Sequence, residues 1–242
     1  EACAAAGIEY IELPIAYDGI SVVVHPENDW VDVLSPDDLK RIWEPSAQGS
    51  ITRWNQIRAE WPDRELHLFG PGVDSGTFDY FTQAIVGAEG ASRGDFTSSE
   101  DDNVLVQGVV TDELALGFFG YAYYEENSDR LKLVPIDDGD EANGVGAIAP
   151  SPESVRNGTY QPLSRPVYIY VNQTALKRPE VSGFVDFFLT EDSLIREVGY
   201  VPLTDQEYAM VRQRVEDRVT GTMYGLGNEM ASLTTLLNSP SQ

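Results

Sequence analysis

Gly70-Pro71-Gly72-Val73-Asp74-Ser75-Gly76-Thr77-Phe78-Asp79-Tyr80-Phe81 is a glycine-rich turn that breaks directly into an amphipathic helix. The run follows Leu66-His67-Leu68-Phe69, which reads as a strand. Phe78, Phe81 and Ile85 recur at helical spacing and define an inner face, and Gly87 closes the helix. Ser75, Gly76 and Thr77 therefore sit where the helix begins. Backbone N–H groups at such a start lack intrahelical partners, and the helix dipole favours negative charge there. Two hydroxyls add donors of adjustable direction. The bland reading is that Ser75 only caps a helix.

Working outward, strands alternate with helices, which predicts an α/β protein with ligands at the carboxyl ends of strands. Ile8 to Leu13 and Ile15 to His25 read as strands, the second ended by Pro26. Ser35-Pro36-Asp37-Asp38 is a helix start: serine caps, proline takes the first turn and two acids face the dipole. Further helices are predicted from Ser98 to Val110, near Ser151-Pro152-Glu153, over Val181 to Leu189, and over Tyr208 to Val219. Leu116 to Tyr124 reads as a strand then a helix, further strands are predicted at Leu131 to Ile136 and at Pro166 to Val171, and residues 137–147 read as a loop. The end from Gly221 to Gln242 is weakly patterned and reads as a loose tail.

Composition narrows the function classes. The chain has 242 residues, 42% of them hydrophobic, so a packed core is expected. The formal charge of -24 argues against nucleic acid and anionic membrane surfaces as partners. An anionic ligand would have to be drawn in by local dipoles against that charge. Cys3 is the only cysteine and reads as part of a terminal helix. His25 and His67 are far apart in sequence, so no metal and no cofactor are expected. A P-loop needs Lys after its last glycine, and here Thr77 follows Gly76. A hydrolase elbow needs Gly-x-Ser-x-Gly, which Gly72-Val73-Asp74-Ser75-Gly76 does not provide. No catalytic residue is nominated. Asp74 and Asp79 bracket the motif, as first-turn acids or as acceptors for the proton of a monohydrogen oxyanion. Arg93 is the nearest following arginine and could fork onto a tetrahedral oxyanion.

Four runs then carry a family resemblance: Phe69 to Phe81, Ile51-Thr52-Arg53-Trp54-Asn55, Leu116-Gly117-Phe118-Phe119-Gly120-Tyr121, and Tyr160-Gln161-Pro162-Leu163-Ser164-Arg165-Pro166. Together they resemble, in order over roughly residues 8–205, the phosphate-binding proteins of bacterial phosphate ABC importers. The resemblance implies a type II periplasmic-binding-protein-like α/β fold of two lobes with mixed sheets and phosphate between them. It implies a second lobe over 22–165 carrying the Ser75-Gly76-Thr77 turn, and a partial first lobe from 1–21 and 166–242. It also implies inorganic phosphate as ligand, ABC permease subunits as partners, no covalent chemistry, and a periplasmic or extracytoplasmic location, membrane-tethered in a longer form. Two departures qualify it. Many relatives place an arginine four residues before the motif serine, where Pro71 stands, so Arg93 becomes the candidate. The family's first anion loop, a second serine and a proton-accepting aspartate have no counterpart here, so the first lobe is expected to be incomplete: a separate N-terminal segment completes it, the sequence is a fragment, or the protein has diverged. The alternative is an interaction or structural module with a vestigial anion site; a phosphate-ester hydrolase ranks third.

Overall fold

The computed structural model describes residues 2–223 and 233–238. In chain order the elements are α1 (Ala2–Ala5), β1 (Tyr10–Val24), α2 (Pro36–Trp43), β2 (His67–Pro71), α3 (Gly76–Phe81), β3 (Thr97–Ser99), α4 (Asp102–Thr111), β4 (Ala115–Gly120), α5 (Tyr121–Glu126) and β5 (Lys132–Leu133). They continue with α6 (Pro152–Arg156), β6 (Ser164–Asn172), α7 (Pro179–Thr190), α8 (Asp192–Glu197), β7 (Val201–Pro202), α9 (Asp205–Glu216) and α10 (Leu233–Asn238). The chain divides into two compact units, Glu1–Asp18 with Arg165–Gln242, and Gly19–Ser164.

The unit Gly19–Ser164 is built on strands in the order β3-β2-β4-β1-β5. β2 runs parallel to both β3 and β4, whereas β4 and β5 are antiparallel to β1, so the sheet is mixed. The two predicted strands before Pro26 are one, β1, with Pro14 inside it. Extended backbone accommodates proline wherever its missing N–H is not needed by the ladder. From Ile11 to Val24 every β1 residue is buried, as expected of a strand covered on both faces.

The aromatic core of this unit holds the opening motif in place. Trp43 of α2 meets the rings of Phe81, Phe96 and Phe118 edge-on at centroid distances of 5.8, 5.2 and 4.8 Å. Phe81 stacks on Phe118 of β4 at 3.8 Å, which fixes α3 against the sheet. Gly70 leaves room for this packing, since a Cβ there would stand 2.9 Å from the Phe118 ring. α2 begins as predicted, with a capping box between Ser35 and Asp38.

In the other unit, β1 pairs antiparallel with β7 at Ala16↔Pro202 and Tyr17↔Val201. Tyr17 donates to Glu207 at 2.7 Å, Tyr208 donates to the Ile15 carbonyl at 3.0 Å, and Arg165 pairs with Asp18 at 3.4 Å.

Several expectations need correcting. Ser98 and its neighbours form the edge strand β3 before α4 begins, because pairing with β2 outweighs the local polar pattern. The strand expected over 131–136 is only β5, followed by isolated bridges at Ile136. On α7, Val185 and Leu189 are buried but Phe184 is 58% exposed, so the buried stripe is narrower than the apolar one. Val219 lies beyond the end of α9. The expected loose tail contains α10, whose Leu233 and Leu236 are buried, while residues 224–232 and 239–242 lie outside the described ones.

Candidate functional site

β2 ends at Pro71, and the chain turns through Gly72, Val73 and Asp74 into α3. The turn is closed by the Ser75 N–H donating to the Gly72 carbonyl at 3.1 Å. Ser75 is the N-cap: its backbone is extended, at φ -89° and ψ 127°, and its Oγ accepts from the Thr77 N–H at 3.2 Å. The first intrahelical bond runs from the Asp79 N–H to the Ser75 carbonyl at 3.1 Å. The capping reading is therefore realised, and the Thr77 N–H is not a bare donor. The hydroxyl protons of Ser75 and Thr77 find no acceptor among the described residues, which leaves two donors at the carboxyl end of a strand that is parallel to both its neighbours. α3 passes without a break into a π-helical turn, Thr82–Val86, and ends at Gly87, whose φ of +94° favours glycine. One turn into α3, the Tyr80 hydroxyl reaches the Pro162 and Ser164 carbonyls at 2.7 and 2.8 Å, anchoring the helix to the segment that enters β6.

Neither bracketing acid is a buried proton acceptor. Asp74 is exposed, and Asp79 is half-buried in the first turn of α3.

The Arg93 guanidinium, the candidate fork for an oxyanion, is engaged by protein groups. Arg93 is 4% exposed. Its Nη1 donates to the Ile42 and Ile51 carbonyls at 3.1 and 2.8 Å, and its Nε and Nη2 fork onto Asp95 at 2.5 and 2.9 Å. The Arg93 N–H also donates to the Trp43 carbonyl at 3.0 Å. The side chain and backbone together satisfy the carbonyls left open at the C-terminus of α2, where a cation suits the helix dipole. Hydrogen bonds from Arg93, aided by the Gly49 N–H, hold the Asp95 carboxyl down at about 2. Sequence spacing could not distinguish this tie from a ligand contact, because both use the same fork of donors.

A second charged cluster lies at the opposite end of β2. His67 Nδ1 stands 2.6 Å from Asp112 and its Nε2 3.3 Å from Glu65. Burial alone would lower the imidazole pKa, but the two carboxylates outweigh it and raise it. Among the described residues, no group of three or more His, Cys, Asp or Glu is placed to hold a metal ion, and no helix is long and apolar enough to cross a membrane.

The PBP superfamily domain matches residues 1–192. The chain belongs to the PBP superfamily. Within that superfamily it is 50% identical over 229 residues to the protein SphX of Synechocystis, and 34% identical over 217 residues to the phosphate-binding protein PstS of Staphylococcus saprophyticus. These alignments cover 94% and 87% of this chain but 66% and 63% of the relatives, so this PBP-superfamily chain spans somewhat less than two thirds of their length. A possible phosphate-binding protein from Planctomyces limnophilus superposes with a TM-score of 0.79 at 41% identity, covering 89% of this chain and 75% of that one. A provisionally assigned phosphate ABC transporter substrate-binding protein from Clostridium perfringens, solved with bound phosphate, superposes at 0.59 with 26% identity, covering 83% and 74%. The mixed α/β fold is thus that of the PBP superfamily.

Proposed function

We propose that this protein binds inorganic phosphate at the Ser75-Gly76-Thr77 turn and delivers it to the permease of an ABC importer on the extracytoplasmic side of a membrane. The observation that carries the reading is the pair of hydroxyl donors on Ser75 and Thr77, held at a capped helix start directly after β2. Relatives named for phosphate binding, among them one solved with phosphate, support the choice of anion. In this reading Gly19–Ser164 is the second lobe, and Glu1–Asp18 with Arg165–Gln242 belongs to the first. The role is carriage of the intact anion, with no bond made or broken.

Phosphate reaches a site on a chain of charge -24 only if local donors outweigh the long-range repulsion. Two hydroxyls and the positive end of α3 supply that attraction at short range. Titration calorimetry with phosphate and with sulfate tests the reading. Phosphate should bind, and Ser75→Ala should weaken it by roughly tenfold or more, as expected for a lost hydrogen bond to a charged group. No heat of binding at millimolar phosphate would overturn it.

A further inference from the structure

The oxyanion turn is flanked by a carboxylate that does not belong to it. β3 runs parallel beside β2 with Gly70 opposite Ser98 and Pro71 opposite Ser99, which brings the next residue, Glu100, alongside Gly72. The Gly72 N–H donates to the Ser99 carbonyl at 3.1 Å, extending the ladder by one bond. Glu100 Oε1 then accepts from the Asp74 N–H at 3.3 Å. The carboxylate lies over the α-carbon of Gly72, where a Cβ would stand 1.8 Å from Oε1 and 2.5 Å from Cδ. Gly72 is thus the residue that admits the Glu100 side chain to the loop. Two of the three residues before the N-cap, Gly72 and Asp74, are held by one neighbouring strand and one carboxylate.

We propose that Glu100 is a positioning residue of the oxyanion turn and also its charge governor. Its hydrogen bond fastens Gly72-Val73-Asp74, and through them the N-cap Ser75, while its fixed negative charge beside the turn weakens the hold on any anion. This inference rests on the phosphate reading of the turn. The two effects have opposite signs for affinity, so substitutions that separate them are diagnostic. Glutamine keeps an acceptor for the Asp74 N–H and removes the charge. Alanine removes both.

The test uses the whole chain, with phosphate calorimetry in low and high salt and with exchange of the Asp74 amide followed by NMR without ligand. Glu100→Gln should retain Asp74 protection and bind phosphate roughly three- to tenfold more tightly in low salt, a gain that shrinks in high salt. Glu100→Ala should speed Asp74 exchange by about tenfold and bind more weakly than Glu100→Gln. Gly72→Ala should speed the same amide by pushing the carboxylate away, with no further effect in the Glu100→Ala background. Unchanged Asp74 exchange in Glu100→Ala overturns the positioning role, and unchanged low-salt affinity in Glu100→Gln overturns the charge role. If the wild-type chain binds no phosphate, the reading of the turn fails, and Asp74 exchange still decides whether Glu100 holds the loop.

Discussion

Replacing Arg93 tests whether its guanidinium is a structural tie or a ligand for the anion. Arg93→Met keeps much of the apolar stem and removes every donor of the guanidinium. The Ile42 and Ile51 carbonyls then lose charge-assisted partners at 3.1 and 2.8 Å in a site where the side chain is 4% exposed. At about 1.5–3 kcal/mol for each hydrogen bond to a charged group, the two together are worth about 3–6 kcal/mol. The Asp95 pair adds little, because the Asp95 side chain is 34% exposed and solvent screens it. We therefore expect Arg93→Met to cost about 4 kcal/mol. With a urea slope of about 2–3 kcal/mol/M, the unfolding midpoint should fall by about 1.5 M. Arg93→Lys should recover part of the loss, since one ammonium cannot serve both carbonyls and fork onto Asp95. Phosphate affinity measured below the unfolding range should stay within about threefold of wild type, as the lost groups are internal ties. A stability loss under about 1 kcal/mol together with a drop in affinity above about tenfold would refute the reasoning and return Arg93 to the anion site.

Three further outcomes follow from the geometry. Gly108→Ala in α4 should destabilise by about 1 kcal/mol despite the better helix propensity of alanine, because its Cβ would stand 2.4 Å from the Phe69 ring; an increase in melting temperature would contradict this. Tyr80→Phe should cost about 1 kcal/mol by denaturant titration, since it removes the donor to the Pro162 and Ser164 carbonyls. His67, with its pKa raised in the folded state, should stabilise fully below about pH 6.5 and lose that contribution as pH rises through the folded value. Melting temperature against pH should show this step in the wild type and a smaller one in Asp112→Asn.

Signals confined to a few residues were legible without the structure. Ser35-Pro36-Asp37-Asp38 contains its own cap, first-turn proline and acids, and it forms a capping box in the fold. Ser75 likewise caps α3 two residues before the N–H it accepts, and Gly87 takes the positive φ that its place after a helix implied. Such features need only neighbours along the chain, so the amino-acid order contains them entire. The Ser-Gly-Thr turn at the end of a strand was readable for the same reason.

The sequence by itself determined the α/β alternation, the helix start that carries the candidate site, and the acidity against which that site must work. Only the tertiary structure decided which charged groups reach the motif. Arg93 is eighteen residues from Ser75 in the sequence, yet its donors go to the end of α2. Glu100 is farther along the chain, yet β2–β3 pairing sets its carboxylate over Gly72. It likewise turned the weakly patterned end into α10, with Leu233 and Leu236 buried. The physical reason is that a long polar side chain or a short apolar run has no preferred partner of its own; the packing of distant segments chooses one for it.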